Sequence, residues 1–252
     1  MIRALMLLVL LAAPLRAEEV VGALSQNTVA ITANFNGSEI FVFGAVKRDK
    51  PVPEEVGPLH VVITIRGPSE PVMVRRKERT FGIWVNRDSV EVDEAPSFYA
   101  IASTGPLTEI MSETARLRYD IGFDKVVRIV GAPEDVADPG SFRDAVVRIR
   151  KDEGLYSQQD ETVDLRDETL FATNVALPAN LTEGEYRTRM FLLRDREVVN
   201  ISETQITVRK EGLERWIYTT AHERPLLYGI LSIAVALFAG WLASEIFRLL
   251  RR

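Results

Sequence analysis

The sequence predicts a mainly β protein, an immunoglobulin-like β-sandwich with a helical insertion, followed by one C-terminal transmembrane helix. Three observations predict this class. Short apolar runs separated by turn residues fill most of residues 18–215, as is typical of sandwiches and barrels. The apolar period becomes helical over about 105–154. An uncharged apolar stretch, residues 226–244, lies near the C terminus and is long enough to cross a bilayer.

The first seventeen residues predict a signal peptide. Arg3 gives a positive start, residues 4–15 are uncharged and largely apolar, and Ala17 is a small residue at the cleavage position. As a helix the apolar part would reach only about 18 Å, too short to cross a bilayer comfortably. A retained anchor is the alternative, because Leu15 and Arg16 make the cleavage site imperfect. In either case residues 18–215 are expected to form an exported, periplasmic domain.

The first half of this domain is predicted to consist of strands. Thr28–Phe35 and Glu39–Val46 flank the turn dipeptide Asn36-Gly37, which predicts a hairpin. Further apolar runs predict strands at His60–Ile65, Val72–Lys77, Phe81–Val85 and Ser97–Ala102.

The middle of the domain is predicted to be helical. One helix is expected after Pro106, where apolar residues recur at helical spacing, namely Leu107, Ile110, Met111, Leu117 and Ile121. A second is expected over Asp138–Glu153, with Ser141 and Asp144 as a capping box.

The last part of the domain returns to strands, predicted at Glu161–Leu165, Leu170–Leu177, Glu185–Arg194 and Glu197–Val208. Before the third of these, Leu181, Gly184 and Tyr186 have the spacing of a tyrosine corner, in which the Tyr hydroxyl bonds upstream backbone at the corner of a sandwich. Two small β-domains joined by helices are the alternative to one interrupted sandwich.

Charge and cysteine content exclude several functions. Residues 18–215 contain 34 acidic and 25 basic residues, a net charge of −9, which argues against nucleic acid or anionic lipid as the main partner. The chain has no cysteine, which excludes thiolate catalysis, thiolate metal sites and lipoprotein anchoring.

No catalytic, metal or cofactor site is predicted. The two histidines, His60 and His222, lack a second histidine at ligand spacing. Adjacent acids such as Asp160-Glu161 and Asp167-Glu168 could serve a carboxylate-dependent hydrolase, which is the alternative function. Acidic pairs in loops are more often solvated, so the protein is predicted not to be an enzyme.

The densest basic run of the domain is Arg75-Arg76-Lys77, followed by Arg79. One interpretation is a contact with an anion or a lipid headgroup. The other, which the sequence favours, is protection of an edge strand by charge.

The C-terminal apolar stretch carries the features of a membrane helix. Small residues recur every four positions at Ser232, Ala236, Gly240 and Ser244, a spacing that favours close helix packing. The alternative is that small residues are simply common in such helices.

The flanks of this stretch predict its orientation. Tyr228 and Trp241 are expected at the two membrane interfaces, after a juxtamembrane linker at 216–225. Arg248, Arg251 and Arg252 lie in the tail 245–252, which is expected to be cytoplasmic because basic residues are retained on that side.

Scattered motifs along nearly the whole mature chain resemble one family. They lie in Ile31–Ala45, Arg66–Pro68, Gly82–Asn86, Phe142–Ala145, Gly154–Tyr156, Leu177–Asn180, Gly184–Tyr186, Leu227–Gly229 and Gly240–Trp241. The chain resembles a family of transmembrane proteins of alphaproteobacteria with no established function. The resemblance implies a Gram-negative inner-membrane protein with a periplasmic body, and it supplies no catalytic residue.

These observations together predict a periplasmic binding or scaffolding protein anchored in the inner membrane. Its expected partners are the lipid bilayer and either a membrane protein, such as a transporter, or further copies of itself through the transmembrane helix. A third hypothesis is a structural envelope protein that recognises only its own copies.

Overall fold

A computed structural model describes residues 18–32, 35–48, 57–133, 136, 138–212, 217 and 220–250. The predicted signal peptide, Arg251 and Arg252 lie outside the described residues. The chain divides into two compact units. One combines the described parts of Met1–Val29 and Asn36–Val208, and the other those of Ala30–Phe35 and Arg209–Arg252.

The described residues are mainly β, which confirms the predicted class. The strands are β1 (Glu18–Leu24), β2 (Thr28–Ile31), β3 (Ser38–Arg48), β4 (His60–Arg66), β5 (Ser69–Thr80), β6 (Ile83–Pro96), β7 (Tyr99–Ser103), β8 (Tyr156–Gln159), β9 (Asp164–Arg166), β10 (Leu170–Leu177), β11 (Gly184–Arg194) and β12 (Glu197–Lys210). The helices are α1 (Leu107–Ile110), α2 (Glu113–Tyr119), α3 (Phe123–Val126), α4 (Gly140–Asp152) and the C-terminal α5 (Pro225–Leu250).

Most strands belong to two sheets. The first has the antiparallel order β1-β3-β10-β9. The second has the order β2-β12-β11-β4-β7-β8, with β7 and β8 parallel. A parallel pair needs a crossover, and the helices α1–α4 supply it.

The two sheets face each other across an apolar layer. A Cβ atom built on Gly22 of β1 would lie 2.0 Å from Sδ of Met190 on β11, so the first sheet approaches the second closely at this point. Alternate residues of β3 are buried, including Ile40 and Val42, because successive side chains of a strand point to opposite faces. The immunoglobulin-like character of this arrangement stays a prediction.

The helical segment covers the other face of the six-stranded sheet. The ring of Tyr119 lies 5.6 Å from that of Phe191, measured between centroids. Phe123 contacts Tyr99 at 6.0 Å and stacks on Tyr156 at 5.7 Å. Strands β4 and β7 are therefore buried on both faces, which explains why their sequences are mostly apolar and do not alternate with exposed polar residues.

The single helix predicted after Pro106 is wrong, because three short helices replace it. The Oγ atom of Ser112 accepts a hydrogen bond from Ala115 N at 3.1 Å and caps the start of α2. Asp120, with φ of 54°, ends α2 in the left-handed conformation. Leu117, one of the apolar residues on which the prediction of a single helix rests, is 63% exposed.

The second predicted helix is present as α4, but its predicted cap is wrong. Because the helix begins at Gly140, Ser141 lies inside it and cannot act as the cap. Pro139 is the N-cap residue and makes no side-chain capping bond, while Asp138, one residue earlier, accepts from Ser141 N through Oδ1 at 3.3 Å. Of the four residues predicted to be buried, Phe142 and Val146 are buried, Ala145 is half-buried and Ile149 is 47% exposed.

The hairpin predicted around Asn36-Gly37 is also wrong, because β2 and β3 belong to different sheets. β2 lies beside β12 instead, and at its start Thr207 N donates to Asn27 O at 2.9 Å. Gly37, with φ of 102°, lies where the chain crosses between the sheets. A Cβ atom there would lie 2.8 Å from Leu177 O, so the crossing requires glycine.

Candidate binding surface on the β5–β6 hairpin

Strands β5 and β6 form a separate two-stranded antiparallel ribbon. Its register runs from Ser69 opposite Pro96 to Thr80 opposite Ile83. From Arg75 to Arg87 every residue is exposed except Thr80, which is half-buried. At about 3.3 Å per residue, the six residues from Arg75 to Thr80 extend roughly 20 Å. Over this length the described residues cover the ribbon little, apart from the contact of Arg76 with α4.

The base of the ribbon is anchored to α4. Val74 and Val90 pack with Phe142 in a small apolar cluster. The guanidinium of Arg76 lies 4.6 Å from the centroid of the Phe142 ring and donates to Ser141 Oγ. Arg76, the middle residue of the predicted basic run, therefore fastens the ribbon to the body.

The turn at the end of the ribbon has an unusual sequence for its geometry. Phe81 and Gly82, its central residues, have φ values of 50° and 88°, as a type I′ turn requires. Asn, Asp or Gly normally fills the first position, and another L-residue there costs roughly 1–2 kcal/mol. Phe81 is also fully exposed, so its side chain gains no burial within the fold. A local rule broken without a gain in packing is typical of a functional position.

The residues at this end form what we term the hydrophobic tip, defined as Phe81, Ile83 and Trp84. Their exposed fractions are 103%, 64% and 68%. Burying a large apolar side chain stabilises a folded protein by about 1.5–3 kcal/mol, and here three such side chains are left exposed. Large apolar groups clustered on a surface mark an interaction site.

Three exposed cations follow directly behind the tip and form the cationic collar, defined as Arg75, Lys77 and Arg79. None of the three has an ion-pair partner among the described residues, whereas Arg87 pairs with Glu78 at 2.7 Å. Arg79 lies directly opposite Trp84 in the register, so the two side chains share a face. The predicted basic run is thus divided: Arg75 and Lys77 belong to the collar, and Arg76 to the base.

The sequence contains a signal for the tip in the composition of its turn. A turn between two polar, charged strands is expected to be polar, yet the residues at 81–85 are Phe, Gly, Ile, Trp and Val. The strand predicted at Phe81–Val85 therefore begins only at Ile83, because Phe81 and Gly82 form the turn.

The predicted tyrosine-corner residues lie at the start of β11. Tyr186 is buried, and its hydroxyl donates to Thr182 O at 2.7 Å. Burial raises the pKa of Tyr186. Leu181 is buried, and Gly184 has φ of 150° with Pro68 packed against it. This arrangement joins the end of β4 to β11 and has no reactive group.

A buried ion network, which the sequence did not predict, closes one end of the sandwich. Arg194 donates through Nε and Nη2 to the two carboxylate oxygens of Glu18, both at 2.8 Å. Arg48 donates to Glu18 at 2.8 Å, and Glu168 accepts from Arg194 at 3.0 Å. The side chains of Glu18 and Arg194 are 8% and 7% exposed. The hydrogen bond from Arg194 is the main reason that the pKa of Glu18 is lowered.

The acidic pairs considered for hydrolysis are divided among separate contacts. Glu168 belongs to the ion network, and Asp160 accepts from Ser103 Oγ at 3.0 Å. The described residues hold no group of three or more His, Cys, Asp or Glu arranged for a metal ion. Nδ1 of His60 lies 3.1 Å from Thr104 Oγ1, and burial lowers the pKa of this histidine.

A second exposed apolar area lies on the outer face of the four-stranded sheet. The rings of Phe41 and Phe43 stack at 5.4 Å beside Leu170, which is 56% exposed. The shallow groove there has a volume of about 540 Å³, and Arg166 lines it. Because Arg166 is paired with Asp164 at 2.7 Å, this groove offers less free charge than the hairpin.

Helix α5 has the length and composition of a membrane span. Its residues Pro225–Ser244 are apolar, and none of this stretch is buried by the described chain. The predicted small-residue positions Ser232, Ala236, Gly240 and Ser244 are all exposed. A Cβ atom on Gly240 would meet nothing within 4 Å.

The two residues predicted at the membrane interfaces, Tyr228 and Trp241, both lie on α5. Tyr228 and Trp241 are exposed thirteen residues apart, which is about 20 Å along a helix. Ser232 Oγ donates to Tyr228 O at 2.8 Å, which satisfies a hydroxyl that would otherwise face lipid. Arg248 lies in the last turn.

Comparison with known families identifies the chain. A family described as "Putative transmembrane protein (Alph_Pro_TM)" matches residues 19–249. The chain belongs to this family. The resemblance seen in the sequence is therefore confirmed, and α5 is the one candidate span among the described residues of this Alph_Pro_TM protein.

Other comparisons add little to the family. No curated protein matches the Alph_Pro_TM chain. Among solved structures, it is similar to Spo0M, a sporulation control protein from Bacillus subtilis, with a TM-score of 0.31 and 8% identity. The match covers 82% of this chain and 55% of Spo0M, so the chain spans about half the length of that protein.

Proposed function

We propose that this Alph_Pro_TM protein is a binding or scaffolding protein held in the inner membrane by α5, with its β-rich body in the periplasm. The hydrophobic tip is the observation that carries the proposal. It exposes three large apolar side chains, and cations without ion-pair partners among the described residues lie behind them. Neither the apolar side chains nor the cations stabilise the described fold. Such a surface is suited to contact another molecule, not to perform catalysis.

The charges that flank α5 support the proposed orientation of the chain in the membrane. One arginine, Arg224, precedes the span, and three follow it in residues 245–252. Basic residues are retained on the cytoplasmic side, which supports a cytoplasmic C terminus and a periplasmic body. The signal peptide predicted at 1–17 supports the same orientation.

A second contact is available inside the bilayer. The stripe of Ser232, Ala236, Gly240 and Ser244 has no partner helix in the described chain and would let another helix approach closely. This supports a scaffolding role beside a transporter or other membrane protein, or a homo-oligomer.

Photo-crosslinking in living cells tests the binding surface. A photoreactive amino acid replaces Ile83 in the hydrophobic tip or, as a control, Gln159 on the edge strand β8, which is also exposed. We expect adducts, with lipid or protein, at position 83 well above those at 159. Equal labelling at both positions would refute the proposed surface.

Proteolysis tests the orientation. In spheroplasts with a tag at the C terminus, external protease should digest the body and leave the tag protected. Protection of the body instead would overturn the proposed topology.

A further inference from the structure

We infer that the hydrophobic tip and the cationic collar insert into the interface of an anionic lipid bilayer. This inference rests on the proposed function and adds the chemistry of the partner. The ribbon would give the protein a second membrane contact, separate from α5.

The tip has the composition of an interfacial anchor. Trp is enriched where bilayers meet water, and Phe and Ile supply the apolar surface that enters the acyl boundary. Phe81 lies in the two-residue turn, and Ile83 and Trp84 follow the turn directly, so the insertion front is narrow. No backbone group of a wide loop would have to enter the hydrocarbon region, where unpaired polar groups are costly.

The size of the tip favours a bilayer over a protein partner. Two aromatic side chains and Ile83 can bury at most roughly 600 Å², using 150–250 Å² for each aromatic ring. A stable protein interface buries about 800 Å² on each side. A membrane contact has no such minimum here, because α5 already holds the chain at the bilayer and makes insertion intramolecular.

The collar is complementary to anionic headgroups. Arg75, Lys77 and Arg79 are exposed without ion-pair partners among the described residues, and they lie within a few residues of the turn. Each cation within a Debye length of an anionic surface favours binding by about fivefold, so Lys77 and Arg79, the two nearest the turn, contribute about 25-fold together.

The ribbon also explains how an acidic protein can approach such a surface. The domain at 18–215 has a net charge of −9 and would be repelled by anionic lipid. The distal ribbon is roughly 20 Å long, twice the Debye length of about 10 Å at 0.1 M salt. It therefore presents Lys77 and Arg79 to the headgroups, with Arg75 farther back, while the acidic residues at its base, such as Glu91 and Asp93, stay largely screened.

The test uses the full chain in lipid nanodiscs. Because the protein has no cysteine, Ile83→Cys provides a single site for an environment-sensitive fluorophore, with Gln159→Cys as the exposed control. Nanodiscs contain either phosphatidylglycerol or only phosphatidylcholine, each with and without nitroxide-labelled lipid. We expect a blue shift and nitroxide quenching at position 83 in anionic nanodiscs, and neither at position 159.

A charge variant tests the collar. Arg75→Gln, Lys77→Gln and Arg79→Gln together should lower the insertion equilibrium at position 83 by at least about 25-fold. The matched control replaces three exposed or partly paired cations elsewhere, Arg148, Arg166 and Arg187, by Gln and should not lower insertion. All six positions are on the surface, so circular dichroism should show an unchanged fold.

The outcomes are distinct. A label at position 83 that stays in water in anionic nanodiscs would overturn the lipid inference, as would undiminished insertion of the collar variant. If position 83 also forms protein adducts in cells, the proposed binding surface stands with a protein partner. If it forms no adducts in cells, the proposed function falls as well.

Discussion

Replacement of Glu18 by Gln tests the ion network that closes the sandwich. The variant keeps the shape of the side chain but leaves Arg194, which is 7% exposed, without its bidentate carboxylate. Removing one partner of a buried ion pair typically costs about 3–5 kcal/mol. For a body of about 190 residues, each kcal/mol lowers Tm by about 2–4 °C. We therefore expect Tm to fall by roughly 10 °C.

Thermal unfolding of the full chain in mild detergent, followed by circular dichroism, measures this change. Glu19→Gln is the matched control, because Glu19 is the next residue and its pair with Lys47, at 3.7 Å, is exposed. An exposed pair contributes about 0–1 kcal/mol, so this control should change Tm little. Equal Tm values for the two variants would refute the stabilising role of the network.

The same network predicts a pH dependence. Arg194 holds the pKa of Glu18 below its ordinary value of 4.5, so the folded state favours the charged carboxylate. This contribution is fully present above about pH 4.5 and is lost as the pH falls through the lower, folded pKa. The stability difference between wild type and Glu18→Gln should therefore shrink below pH 4.5. A constant difference down to pH 3 would contradict the assignment.

Three further predictions concern other contacts. Tyr186→Phe should lower the free energy of unfolding by about 1 kcal/mol, seen as a lower urea midpoint, because Thr182 O loses its donor. Gly22→Ala should destabilise by about 1–3 kcal/mol because its Cβ collides with Met190, and the same change should cost less when it is made in a Met190→Ala background. An unchanged Tm in the single variant would show that the sheets can separate there. Gly240→Leu should weaken association in detergent, measured by sedimentation, because the larger side chain would keep a second helix from approaching the small-residue stripe. A Cβ atom at this position meets nothing within 4 Å, so the fold itself should tolerate the change. Unaltered association would exclude packing through this stripe.

The sequence predicted the mainly β class and the apolar helix because both depend on periodicity and composition. It failed where a distant contact decided the outcome. Asn36-Gly37 is a strong local hairpin signal, yet β2 pairs with β12, which is far away in the chain. The apolar period after Pro106 was continuous, and only the capping bond of Ser112 shows that the helix restarts there.

The candidate site was only partly visible in the sequence. The basic run Arg75-Arg76-Lys77 was found, but its division between ribbon base and collar depends on α4, which Arg76 contacts through Phe142. The hydrophobic tip has the composition of a buried strand, and only its position in a two-stranded ribbon makes it a surface. Glu18 and Arg194 could not have been paired, because no sequence pattern links residues 176 positions apart.

The order of strands has a consequence for biosynthesis. β3 lies between β1 and β10, and Ser38 is opposite Leu177, so the first sheet lacks its third strand until most of the chain has been made. The network at Glu18 must wait still longer, for Arg194. Nascent β1 and β3 therefore emerge with an uncovered apolar face, which favours dependence on a chaperone. Only β12 and a short connection then separate Arg194 from α5, so completion of the body and integration of the helix should be nearly simultaneous events.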